Sequence, residues 1–191
     1  MNFSQDSLLH GIFGQIPFRQ IRDSLHATEK KEYGRIQQKE NQLHYPKRLI
    51  RLYLMASGIH EPAQQQKYLK QFDKLLAKVR QRIQQEDAKK SLNPYNKAEL
   101  VLQVLHQELF EISLTGRGAG YNVGIKTTLD KGEYNCYKSA LIYNAILAEL
   151  GFQTRYTAVP EHIYSVVQIP VNSGKPLEIP VETTNAYGFD P

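Results

Sequence analysis

"GEYNCYKSALIYNAILAELGF", residues 132–152, decides how this chain is read. A polar, glycine-headed start gives way at Cys136 to apolar residues at helical spacing: Ala140, Leu141, Tyr143, Ala145, Ile146, Ala148 and Leu150. Gly151 suits the position just past a helix end, where a left-handed backbone meets no Cβ penalty. The spacing predicts a buried helix of about fourteen residues with the only cysteine of the chain in its first turn. Unpaired backbone N–H groups and the positive end of the helix dipole favour thiolate over thiol there. A lone cysteine is more commonly a small buried hydrophobe. Packing residue and nucleophile therefore stand side by side until the neighbours of Cys136 are known.

Downstream the pattern changes from helical to alternating. "TRYTAV", "HIYSVVQI" and "LEIPVE" are short β-rich stretches, the last two separated by the turn signal "VNSGK". They predict three strands with a hairpin between the second and third. His162 opens the second and Glu182 ends the third, with the turn midway between them, so antiparallel pairing brings both to one end of the sheet. Alternation sends Leu177, Ile179 and Val181 to one face and Glu178 and Glu182 to the other. Glu178 is thus an alternative acid, nearer the turn and farther from His162. A nucleophile needs a base within hydrogen-bond reach and a third group to orient that base. Cys136, His162 and Glu182 occur in an order that would supply all three, although each also has a plain structural use in packing or at a solvated strand end.

Upstream the chain reads as helical. In "YPKRLIRLYLMASG" Pro46 suits a first turn and Gly58 the residue after the last. In "EPAQQQKYLKQFDKLLAKVRQRIQQ" Tyr68, Leu69, Phe72, Leu75, Leu76, Val79 and Ile83 recur at three and four, a buried stripe with a Lys and Arg back. After "SLNPYN", Asn96 is expected to cap a third helix with Glu99 as capping-box partner, and Leu100, Val101, Val104, Leu105 and Leu109 form its inner face. The glycine-rich "TGRGAGYNVG" has no period, which predicts a loop of roughly twenty residues before the cysteine helix, and such loops often carry function. Residues 1–45 read as irregular structure with short helices. The expected class is α+β, with a basic helical region over 1–95 and a core over 96–191, together one compact unit.

Composition narrows the function classes. With 191 residues, 41% hydrophobic and 23% charged, the chain is long enough for one well-buried domain and too apolar for a disordered one. The net charge of +5 is uneven: residues 29–90 carry 15 Lys and Arg against 7 Asp and Glu, so +8 falls there and −3 on the rest. That segment is first a solvated helix face, and as a working surface it would attract an acidic partner. Its cations are not interleaved with aromatics as a base-stacking platform needs, so nucleic acid is not favoured as a partner. No apolar run is long enough for a membrane span. The N-terminus lacks a secretory pattern, which implies a cytoplasmic protein if that end is native and a periplasmic or secreted one if a leader was removed. One cysteine allows no internal disulfide and no multi-cysteine zinc site. The six histidines lack ligand spacing and no GxxxxGK[ST] loop is present, so neither metal nor organic cofactor is expected. Nothing in the sequence encodes an oligomeric state.

Three blocks, "YNCYKSALIYNAILAELGF", "VPEHIYSVVQI" and "IPVETTNAYGFDP", taken in that order, resemble the transglutaminase-like superfamily of bacterial cysteine peptidases and acyltransferases, from about residue 98 to the end. The resemblance implies a papain/transglutaminase-like core: a helix headed by the nucleophile, packed on an antiparallel sheet whose adjacent strands present the histidine and the acid. Cys136 then resembles the nucleophile, His162 the general base and acid, and Glu182 the orienting carboxylate. Many members carry Trp soon after the histidine and Asp as the acid, where this chain has "HIY" and Glu182. The longer carboxylate can reach the same ring nitrogen with a small shift. Acyl transfer also needs oxyanion donors: the N–H of Cys136, and a side chain from the preceding loop with Tyr121, Asn122 and Asn135 as candidates, Tyr121 favoured. The expected function is a thiol-dependent hydrolase or acyltransferase acting on amide bonds of a peptide or protein substrate through a thioester. The alternative is a noncatalytic interaction domain of the same fold, working through the basic helical surface.

Overall fold

The computed structural model describes residues 45–114, 124–160, 162–172 and 174–191. Three helices come first: α1 (Tyr45–Ala56), α2 (Pro62–Lys90) and α3 (Pro94–Glu108). Each has a proline in its first turn, where the missing N–H is one that a helix start leaves unpaired anyway. The stripe Tyr68, Leu69, Phe72, Leu75, Leu76 and Val79 is the buried face of α2, and Ile83 is half-buried. The helix stops where Ser91 takes a φ of 49° and donates to the Asp87 carbonyl, while Asp87 Oδ1 accepts from the Leu92 N–H at 2.6 Å. The cap of α3 is Asn93 rather than the expected Asn96. Asn93 Oδ1 accepts from the Asn96 N–H at 2.8 Å, because the fixed φ of Pro94 starts the helix earlier than the capping-box pattern suggests.

The loop of roughly twenty residues expected before the cysteine helix is interrupted by regular structure, and its residues 115–123 lie outside the described residues. β1 (Ile112–Ser113) pairs in parallel with β2 (Glu133–Tyr134), and α4 (Lys126–Lys131) lies between them in sequence. Elements this short leave no period to read. Between α4 and β2 the chain turns at Gly132, with φ +69°, where a Cβ would come 2.6 Å from the Leu109 carbonyl oxygen; only glycine fits.

Then comes α5 (Cys136–Glu149), in which every residue from Lys138 to Leu147 is buried. Burial on all sides explains why its apolar pattern is a run rather than a stripe. The Tyr143 hydroxyl, inside the core, donates to the Ala98 carbonyl of α3 at 3.1 Å. Packed with α5 is a three-stranded antiparallel sheet of β3 (Gln153–Val159), β4 (His162–Ile169) and β5 (Leu177–Val181), in that order. Ser165, Val167 and Ile169 of β4 join Ile179 and Val181 of β5 as its buried residues on one face. Pro180 is tolerated because β5 is an edge strand with no outward donor to supply. Residues Pro46–Pro191 form one compact unit, and its class is α+β.

Candidate active site

Cys136 is the first residue of α5, and its neighbours explain why the helix begins there. Asn135 has extended backbone, φ −141° and ψ 179°, and its Oδ1 accepts from the Lys138 N–H at 3.0 Å. Capping therefore occupies the Asn135 side-chain oxygen, and only its amide nitrogen is left as an oxyanion donor. Tyr121 and Asn122 lie outside the described residues. The Cys136 thiol is free and half-buried. Ser139, one turn on along the same face, donates to the Asn135 carbonyl at 2.9 Å and its Oγ lies 2.8 Å from Thr183 Oγ1, both residues fully buried. The turn that carries Cys136 is thus tied to the residue that follows Glu182.

His162 begins β4, opposite Val159 of β3. The register that sets Ser165 against Val181 brings the start of β4 alongside the chain just past β5. There His162 Nε2 contacts Glu182 Oε2 across twenty residues of sequence, both side chains about one-third exposed, at 35% and 30%. Glu182 Oε1 faces the other way, accepting from the Thr184 N–H at 3.0 Å and from Thr184 Oγ1 at 2.6 Å. Burial opposes the charge on Glu182. The bonds from Thr184 and His162 outweigh it and hold the carboxyl below its ordinary range. Glu178 is placed differently: it pairs with Gln168 in register and forms an exposed ion pair with Arg155 at 2.9 Å. That guanidinium, not an imidazole, keeps its carboxyl below the usual range.

Several partners of this site gave no sign in the sequence. The Glu182 N–H donates to the Gly188 carbonyl at 2.7 Å, closing a turn over Thr183–Tyr187. The Thr183 carbonyl accepts from His106 Nε2 at 3.1 Å and the Thr184 carbonyl from the Tyr134 hydroxyl at 3.4 Å. His106 stands edge-on to Phe110 and Tyr134, whose rings stack at 4.8 Å. Burial pushes the His106 imidazole below its ordinary pKa, with the bond to Thr183 working the other way. These are contacts of the third helix and of β2 with the last turn of the chain, and no local pattern announces them. The polar run "ETTN" at the strand end is the one local clue, marking a turn but not its partners.

Lys138, two residues after Cys136, is fully buried, and its Nζ donates to Thr127 Oγ1 at 2.8 Å. Burial pushes its pKa down, partly offset by Glu133. On the basic helix α2, Lys67, Lys78, Arg80, Arg82 and Lys89 all pair with acidic groups of the same chain, namely Asp130, Glu108, Glu149 and Glu86. No group of three or more His, Cys, Asp or Glu among the described residues is arranged to hold a metal ion, and no described helix is long and apolar enough to cross a membrane. Compared with protein-family models, with curated proteins and with solved structures, the chain matches none.

Proposed function

We propose that this chain is a thiol-dependent hydrolase or acyltransferase with a papain/transglutaminase-like core, acting on amide bonds of a peptide or protein. Cys136 is the nucleophile, His162 the base and acid, and Glu182 the orienting carboxylate. The observation that supports this most is the contact of His162 Nε2 with Glu182 Oε2, made at the strand end to which Ser139 and Thr183 tie the cysteine turn. A base in such a site uses one ring nitrogen for the acid and the other for the nucleophile. With Nε2 on Glu182, Nδ1 is left for the thiol.

The chemistry then runs as follows. His162 Nδ1 takes the proton of Cys136, and the sulfur attacks the substrate carbonyl, forming a C–S bond as the carbonyl π electrons move onto oxygen. The first-turn N–H of Cys136 is one donor for that oxyanion. Collapse breaks the C–N bond, and the imidazolium gives its proton to the leaving amine. His162, now neutral, takes a proton from the attacking water or second amine as it adds to the thioester carbonyl; collapse breaks the C–S bond, and the imidazolium returns that proton to sulfur. Glu182, kept ionised by its bonds, stabilises the imidazolium at each stage.

Reaction with p-nitrophenyl acetate, read by intact-protein mass spectrometry, tests the proposal without knowledge of the natural substrate. The folded chain is expected to gain one acetyl group at Cys136, and His162→Ala to slow that step by about 10²–10⁴. Acylation of folded protein no faster than that of the urea-unfolded chain would remove the proposed chemistry. The noncatalytic reading through the basic surface draws less support, because five of the cations on α2 already have acidic partners within the chain.

A further inference from the structure

We infer that Thr184 is a positioning residue for the acid of this site, its hydroxyl and N–H together gripping Glu182 Oε1 so that Oε2 alone is presented to His162. The inference rests on reading His162 and Glu182 as base and acid. A glutamate has one more rotatable bond than an aspartate, and ordering it costs side-chain entropy that a useful contact must overcome. Two donors on one oxygen, at 3.0 and 2.6 Å, settle both the torsion of the carboxylate and the choice of oxygen. A residue serving only to close the turn would need the N–H alone. The hydroxyl has no such use, since it donates to the carboxylate rather than to the backbone.

The residue that grips is itself held. Its carbonyl accepts from Tyr134, and the preceding Thr183 is bonded through its side chain to Ser139 and through its carbonyl to His106. The Glu182 backbone is fixed from the other side by the N–H bond to Gly188. Three separate elements, α3, β2 and α5, thus set the position of a hydroxyl whose one donated bond goes to the acid.

The test compares full-length wild type with Thr184→Val, which deletes the hydroxyl at nearly constant volume, and Thr184→Ser, which keeps it. Titration of the Glu182 side-chain carboxyl carbon by NMR is expected to move up by about one pH unit in the valine variant, and to stay in place in the serine variant. Acetylation of Cys136 by p-nitrophenyl acetate at neutral pH is expected to slow about tenfold in the valine variant and less than about twofold in the serine variant. An unmoved Glu182 titration in Thr184→Val, with normal acetylation of wild type, overturns the inference alone. If wild-type Cys136 fails the acetylation test against the unfolded chain, the reading of the site falls and takes the inference with it, whatever the titration shows. A serine variant as impaired as the valine one also overturns the inference, because the hydroxyl would not be what matters.

Discussion

Gly188 has no room for a side chain: a Cβ there would run into the Glu182 carbonyl oxygen and lie 2.9 Å from Glu182 Cβ. Since the obstacle is backbone, an alanine must either push Glu182 aside or break its N–H bond to Gly188. Gly188→Ala is therefore expected to cost about 1–3 kcal/mol of stability, as overpacking does, and to slow acetylation of Cys136 even at temperatures where the variant is fully folded. Urea unfolding alongside the acetylation rate checks both, and an unchanged rate in folded Gly188→Ala would mean that Glu182 tolerates displacement. At this scale the sequence reading reached the pair His162 and Glu182, because antiparallel register is legible from alternation and a central turn. It missed Thr184, Gly188 and His106, whose parts depend on a turn closing over itself and on a helix far away in sequence. The misplaced cap of α3 has a simpler cause: Pro94 commits the backbone before Asn96 is reached, and Asn93 is left to supply the oxygen.

Among the elements, α5 was readable from its first residue to its last turn, whereas β1, α4 and β2 were not, being shorter than any period that could reveal them. The helix carries two features open to test. Ser139 and Thr183 join it to the acid-bearing turn by one buried hydroxyl pair. A double-mutant cycle of Ser139→Ala and Thr183→Val should give a coupling of about 0.5–1.5 kcal/mol in chemical unfolding, the net value of a buried hydrogen bond. A coupling near zero would show the helix and the turn to be held together by packing alone. Lys138 presents the opposite case, a cation in the first turn, where the dipole opposes it, fully buried and with Thr127 as its hydrogen-bond partner. Burying a cation carries a desolvation cost that an apolar side chain of like size does not. Lys138→Met is accordingly expected to unfold at higher urea than wild type. A loss of stability would point to a role for the ammonium beyond its bond to Thr127.

For the whole molecule, the titrating groups bound a pH range of greatest stability, and the sign follows from which state binds more protons. His106, Glu182 and Asp130 all have folded pKa values below their ordinary ones: His106 through burial, and the two carboxyls because hydrogen bonds and nearby cations outweigh a burial that works against them. Between each folded and ordinary value the unfolded chain holds the extra proton, so stability is full above the ordinary value and is lost as pH falls. The first loss belongs to His106 and begins near pH 6.5; the carboxyls follow below about pH 4.3. At the other end, burial raises the pKa of Tyr53, Tyr137 and Tyr143, so their contribution is full below about pH 10 and is lost above it. The contribution of these six groups to the urea midpoint should therefore be fullest between about pH 6.5 and 10 and decline in two steps on acidification. The first step can be assigned. His106 faces Phe110, Tyr134 and the Thr183 carbonyl, with no carboxylate among these contacts to favour its charged form. His106→Gln, which keeps a donor for Thr183 and does not titrate, should flatten the decline between about pH 6.5 and 5 while leaving the carboxyl step in place. If the wild-type midpoint is already level across that interval, or the glutamine variant declines as steeply as wild type, the imidazole under the acid-bearing turn is not what makes the fold sensitive to mild acid.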